Sequence, residues 1–120
     1  MMKRTIIGWL FMCFVIAVSA QNLKFKDGKF KIIQFTDLHY KLGNPASRQA
    51  TDCLYEIVKA ENPDLIVLTG DVIYSKPGDM CLQQILNIMS DLKVPFCYLL
   101  GNHDPEQGTP VTQLYDQAQQ

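Results

Sequence analysis

Histidine is scarce in this chain: two occur in 120 residues, His39 and His103. The four cysteines, Cys13, Cys53, Cys81 and Cys97, form no Cys-x-x-Cys pair. A thiolate zinc site is therefore not expected. Neither sign of charge dominates. With 11 basic and 12 acidic residues the net charge is −1, and no basic patch points to nucleic acid. Internal repeats and low-complexity tracts are missing. The apolar run from Ile6 to Val18 falls short of the roughly 20 residues that span a bilayer. What remains is a composition typical of globular proteins, at a length that suits one small domain.

The N-terminus reads as a separate unit. Lys3 and Arg4 precede the apolar run, and Val18-Ser19-Ala20 leads to a cleavage point at Ala20/Gln21. That is a secretory signal pattern, so Met1–Ala20 is expected to be removed and the chain exported to the periplasm or beyond. The mature chain then carries nine basic and 12 acidic residues, a balance of −3. No stable membrane span is expected after cleavage. Cys53, Cys81 and Cys97 remain, an odd number that leaves at least one thiol unpaired. Cys53, on the apolar face of a helix, and Cys97, in an apolar strand, are expected to be small buried hydrophobes.

From Gln21 to Gln120 the pattern predicts alternating strands and helices. Leu23–Lys26 and Lys29–Ile32 alternate around Asp27-Gly28, the signature of a β-hairpin. The second arm continues into the first core strand, ending near Thr36. Helical spacing begins at Ser47, runs through Ala50, Leu54 and Ile57/Val58, and stops near Asn62-Pro63. Leu65–Leu68 is continuously apolar, as in a strand buried on both faces. Asp79 is a plausible N-cap for a second helix with Leu82, Ile85/Leu86, Met89 and Leu92 on its stripe. Pro95 precedes the strand Phe96–Leu100. A weakly apolar last helix is expected near Thr109-Pro110, running into Gln113–Gln120. The fold class is α/β, a β-hairpin plus βαβαβ with a parallel sheet.

Three short strings follow the three strands: Asp37-Leu38-His39, Gly70-Asp71 and Gly101-Asn102-His103-Asp104. Their spacings of 34 residues (Asp37 to Asp71) and 31 (Asp71 to Asn102) match one βαβ unit each. All three strings therefore fall at the same end of the sheet, where ligand crevices form in open α/β folds. Asp37 and His39 are two apart, so both can reach one ion. Gly70 permits a tight turn before Asp71. Asn102 adds a neutral oxygen. Oxygen and imidazole donors on neighbouring loops are what a divalent metal centre needs. His103 and Asp104 could form a carboxylate-oriented imidazole.

These strings resemble the first three signature motifs of the calcineurin-like metallophosphoesterase superfamily. The resemblance implies the N-terminal half of a metallophosphoesterase α/β sandwich. It implies that Asp37 and His39 bind one metal, Asp71 bridges two, and Asn102 binds the second. His103, aided by Asp104, would contact substrate phosphate and assist the leaving group. The implied reaction is hydrolysis of a phosphate ester by a metal-activated hydroxide. The implied metals are Mn²⁺, Fe, Zn²⁺ or Mg²⁺. Gly70-Asp71-Val72-Ile73-Tyr74 also resembles the Gly-Asp-x-x-Tyr string of purple acid phosphatases, which makes Tyr74 a further candidate, either a ligand or packing beside one. Asn102-His103-Asp104-x-Glu106 is similar to purple-acid-phosphatase-like bacterial and plant phosphoesterases.

The family pattern continues with a lone histidine and a Gly-His-x-His motif, for which this sequence has no residues. The expectation is thus an incomplete domain over 21–120 with an incomplete second metal site. The alternative is a non-catalytic fragment or half-domain holding at most one metal weakly. Such a piece would expose a sheet edge and an apolar face, through which it could self-associate.

Overall fold

A computed structural model describes residues 23–119. The expected signal peptide, Met1–Ala20, lies outside the described residues. The elements are β1 (Ile32–Phe35), α1 (Pro45–Glu61), β2 (Leu65–Thr69), α2 (Gly78–Asp91), β3 (Phe96–Leu99), a short 3₁₀ turn (Pro105–Gln107) and α3 (Val111–Ala118). The three strands form a parallel sheet in the order β1-β2-β3. The alternating strand–helix pattern predicts this arrangement, and a strand can only pair in parallel with its successor if a crossover returns the chain to the same edge.

The register separates the two faces of the sheet. Ile33, Phe35, Ile66, Leu68, Phe96 and Tyr98 share one face. Phe35, Ile66, Leu68, Phe96 and Tyr98 pack with Leu54 and Val58 of α1, Leu82, Ile85 and Met89 of α2, and Leu114 of α3. Ile66, Leu68, Ile85 and Leu114 are wholly buried. The opposite face carries Ile32, Gln34, Leu65, Val67, Cys97 and Leu99, and no described element covers it. Ile32 and Leu99 are each more than half exposed. That face corrects one cysteine expectation: Cys97 is exposed because its side chain points there. Cys53 is also exposed, one position round α1 from buried Leu54; the buried thiol is Cys81.

The expected hairpin shrinks to a turn. Lys26 and Lys29 exchange two backbone hydrogen bonds of 2.9 Å, with Asp27 and Gly28 both at positive φ, but no ladder extends beyond them. Two-stranded hairpins are marginal without a face to bury, and this one projects lysines. It is fastened instead through Asp64, which pairs with Lys26 Nζ at 2.8 Å and accepts the Lys31 N–H at 2.9 Å.

Helix starts differ from the pattern for local reasons. Asn44 caps α1 by accepting the Ala46 N–H, so the helix opens at Pro45, ahead of Ser47. Ser47 Oγ accepts the Lys41 N–H and closes the loop after β1. Asp79 is not the N-cap of α2 but lies in its first turn. Its own N–H donates to Thr109 Oγ1, a hydroxyl brought in from the other end of the chain. α3 begins at Val111, after Pro110. It is anchored by Leu114 and by Gln117, whose Nε2 donates to Asp79 O and to Gln83 Oε1. Among the described residues no helix is long and apolar enough to cross a membrane.

Candidate metal centre

The loops after β1 and β2 continue the strand pairing beyond the sheet. Asp37 N–H donates to Gly70 O, His39 N–H to Asp71 O, Tyr40 N–H to Val72 O, and Tyr74 N–H to Tyr40 O, at 2.8–3.1 Å. These four bonds join the two loops. Within them Asp37 (φ 54°), His39 (φ 44°) and Asp71 (φ 51°) all adopt the left-handed region. Asp and His enter that region more readily than most residues, but each instance still costs of order 1–3 kcal/mol. Strain of this kind clusters where side chains must converge, and here all three candidate ligands carry it.

Their ligand atoms lie within 4.8 Å of one another. His39 Nε2 is 3.8 Å from Asp37 Oδ1 and 3.9 Å from Asp71 Oδ2, too far to hydrogen-bond. It is buried and has no hydrogen-bond partner. Donors about 2.0–2.2 Å from one cation lie roughly 3–4 Å apart. An orphaned imidazole nitrogen between two carboxylate oxygens therefore fits a cation.

The remaining carboxylate oxygens are held by donors. Thr36 Oγ1 donates to Asp37 Oδ2 at 2.6 Å, and His103 N–H donates to Asp71 Oδ1 at 2.9 Å. Each bond leaves the other oxygen facing His39. The loop after β3 meets the centre through glycine: a Cβ on Gly101 would collide with the Asp71 carboxylate, and one on Gly70 would lie 2.8 Å from Gly101 Cα. The two glycines let three loops touch.

Asp104 departs from the expectation. It is wholly buried, and its carboxylate accepts four backbone N–H groups: Asp71 at 3.0 Å, Val72 at 2.8 Å, Ile73 at 2.9 Å and Gly101 at 2.7 Å. It ties the second and third loops together and does not orient His103. The carboxylate at His103 is Glu106, whose Oε2 is 2.7 Å from Nδ1. That contact holds the His103 pKa above the ordinary histidine value. Asn102 is exposed on the same loop, between Gly101 and His103.

Tyr74 stacks on His39, with centroids 4.9 Å apart and planes 16° apart, and meets His103 edge-on at 5.3 Å. Lys41 Nζ lies 5.1 Å from the Tyr74 centroid, a distance at which an ammonium is attracted to a ring face. Tyr74 thus packs both imidazoles into place. Thr36 and Glu106 take roles at the site that the three strings do not announce. The available signals were a hydroxyl beside Asp37 and the three-residue offset from His103 across Pro105, since residues i and i+3 align in a 3₁₀ turn.

The family model for the calcineurin-like phosphoesterases matches residues 30–119. The chain belongs to that family. This phosphoesterase-family chain is 32% identical over 111 residues to a "probable inactive purple acid phosphatase 29" of Arabidopsis thaliana, covering 76% of the chain and 28% of the relative. It is 33% identical over 91 residues to a "probable cyclic nucleotide phosphodiesterase" of Psychrobacter arcticus, covering 65% and 32%. The chain therefore spans about a third or less of these relatives' lengths. Its fold is similar to that of a dimetal phosphatase from Danio rerio, with a TM-score of 0.51, 17% identity, and coverage of 72% of this chain and 35% of that one.

Proposed function

We propose that this chain carries the first metal site and the phosphate-facing histidine of a metal-dependent phosphoesterase. One observation carries the reading: the unpartnered His39 Nε2 between Asp37 Oδ1 and Asp71 Oδ2, in a chain of this family. Asp37, His39 and Asp71 would hold one ion, and Asp71 with Asn102 would face a second. Bound ions in such a site supply charge neutralisation for the phosphoryl group and a water of lowered pKa as nucleophile. Mixed oxygen and nitrogen donors suit Mn²⁺, Fe, Zn²⁺ or Mg²⁺. Thr36 and the His103 N–H orient the two carboxylates. Tyr74 blocks the open side of the His39 ring. His103 meets the substrate phosphate and handles the proton of the leaving group. The substrate class is a phosphate ester, and export by Met1–Ala20 is part of this reading.

A second reading is a chain that binds metal without turnover. It is favoured by the histidine count, since His39 and His103 leave Asp71 and Asn102 as the second ion's donors. Calorimetric titration with Zn²⁺ and Mn²⁺, paired with hydrolysis of p-nitrophenyl phosphate, separates the two. Saturable binding abolished by Asp71→Asn, with turnover, supports the first. Binding without turnover supports the second. No binding removes both.

A further inference from the structure

We propose that Glu106 is the positioning residue of His103, fixing the imidazole so that Nε2 is the nitrogen presented to substrate phosphate. The role given to Nε2 rests on the phosphoesterase reading; the contact itself does not.

The backbone of His103 is clamped on both sides. Its N–H donates to Asp71 Oδ1, and its carbonyl accepts from Gln107 Nε2 at 2.9 Å. Gln107 is buried, and its bond to the His103 carbonyl is partly so. What freedom remains is in the side chain. The ring lies edge-on to Tyr74 and to His39, at interplanar angles of 82° and 85°. Rotation about the ring axis, and the choice of which nitrogen carries the proton, are then set by the Nδ1 partner. An ionised carboxylate can only accept. Glu106 Oε2 at 2.7 Å from Nδ1 therefore places the neutral ring's proton on Nδ1 and leaves Nε2 to take up the second proton, which it can donate to a phosphate oxygen.

Among the described residues no other carboxylate can do this from where it stands. Asp104, next in sequence, is wholly buried and engaged by four backbone donors. Asp71 uses Oδ1 on the His103 backbone and directs Oδ2 toward His39. The 3₁₀ turn at Pro105–Gln107 brings Glu106 back over the ring. Histidine ligands and catalytic histidines are commonly oriented by a carboxylate on the second nitrogen; here that carboxylate comes three residues downstream.

The test is the tautomer, read by long-range ¹H–¹⁵N correlation on the ¹⁵N-labelled chain at a pH where both histidines are neutral. With two imidazoles present, His39→Gln assigns both. Free histidine favours the Nε2–H form. The expected result is His103 mainly in the Nδ1–H form, reverting toward Nε2–H in Glu106→Ala. Glu106→Gln, whose amide oxygen also accepts, retains Nδ1–H. Amide resonances away from residues 103–107 report that the fold is intact. Titration of the Zn²⁺-loaded chain with inorganic phosphate is the second readout, with affinity falling about tenfold in Glu106→Ala and zinc affinity unchanged. A wild-type His103 in the Nε2–H form, or a tautomer indifferent to Glu106→Ala, overturns the proposal. So does a phosphate affinity untouched by that substitution. A wild type that shows the tautomer control but binds no phosphate overturns the phosphoesterase reading instead, and leaves Glu106's hold on the ring standing.

Discussion

Replacing Asp104 by alanine should damage the chain more than any other substitution at the site, and should do so through stability. The carboxylate accepts from Val72 and Ile73, which are wholly buried, and from Asp71 and Gly101, which are partly so. Truncation leaves four N–H groups without a partner. A buried donor left unsatisfied costs about 1–3 kcal/mol. The two buried donors alone then account for roughly 2–6 kcal/mol, and the partly exposed pair adds less because water can reach it. Burying the carboxylate has its own desolvation cost, which Asp104→Ala relieves. That relief puts the expected net loss in the lower half of the range, at about 3 kcal/mol. A domain of this size loses about 4–8 °C in Tm per kcal/mol, so the midpoint should fall by about 12–24 °C. Asp104→Asn keeps one acceptor oxygen but turns an NH₂ toward N–H groups, so it should recover only part of the loss. Urea and thermal unfolding followed by circular dichroism measure this directly. Glu106→Ala is the control: Glu106 is exposed, and a surface change of this kind is usually within about 0.5 kcal/mol. An Asp104→Ala chain as stable as that control would refute the claim that this carboxylate holds the loops together.

Gly101→Ala should lower Zn²⁺ affinity at least about tenfold, because the added Cβ collides with the Asp71 carboxylate; calorimetry reads it. Thr36→Val keeps shape and removes the hydroxyl on Asp37 Oδ2, and should weaken metal binding about tenfold with little change in Tm. Leu114→Ala should cost about 2–5 kcal/mol in urea unfolding, since Leu114 is the wholly buried anchor of α3. Asp64 has a pKa held below the usual carboxylate value, first by Lys26 and then by the Lys31 N–H. Its contribution to stability is therefore present above the unfolded-state carboxylate pKa and is lost as pH falls through the depressed folded value. Asp64→Asn should accordingly destabilise at neutral pH and converge with wild type in acid, as unfolding curves across pH will show.

The strands and helices were legible because each announces itself locally. Leu65–Leu68 is too apolar for anything but an interior strand, and the stripe through Leu82, Ile85 and Met89 fits a helix buried on one side. The 34- and 31-residue spacings placed three loops at one end of the sheet, and the structure brings Asp37, His39 and Asp71 together there. Details that depend on distant partners were not legible. The Thr109 hydroxyl serving α2 arrives from 30 residues away, so Asp79 looked like the cap. Cys53 and Cys97 looked buried because apolar periodicity gives no information about whether a neighbour covers that face. Asp104 looked like a partner for His103 because the two are adjacent, whereas adjacent side chains off a loop commonly diverge. Its actual partners, the N–H groups of residues 71–73, are invisible until the second loop folds against the third. The left-handed backbone at Asp37, His39 and Asp71 was equally hidden, since nothing in those residue types requires it.

Whether Asp37, His39 and Asp71 hold a metal ion is tested most directly by anomalous diffraction at the zinc edge. Crystals of the chain grown with Zn²⁺ should show an anomalous peak bonded to Asp37 Oδ1, His39 Nε2 and Asp71 Oδ2, and the peak should vanish in Asp71→Asn. Zinc bound elsewhere with this trio bare, or a peak that survives Asp71→Asn, would contradict the account.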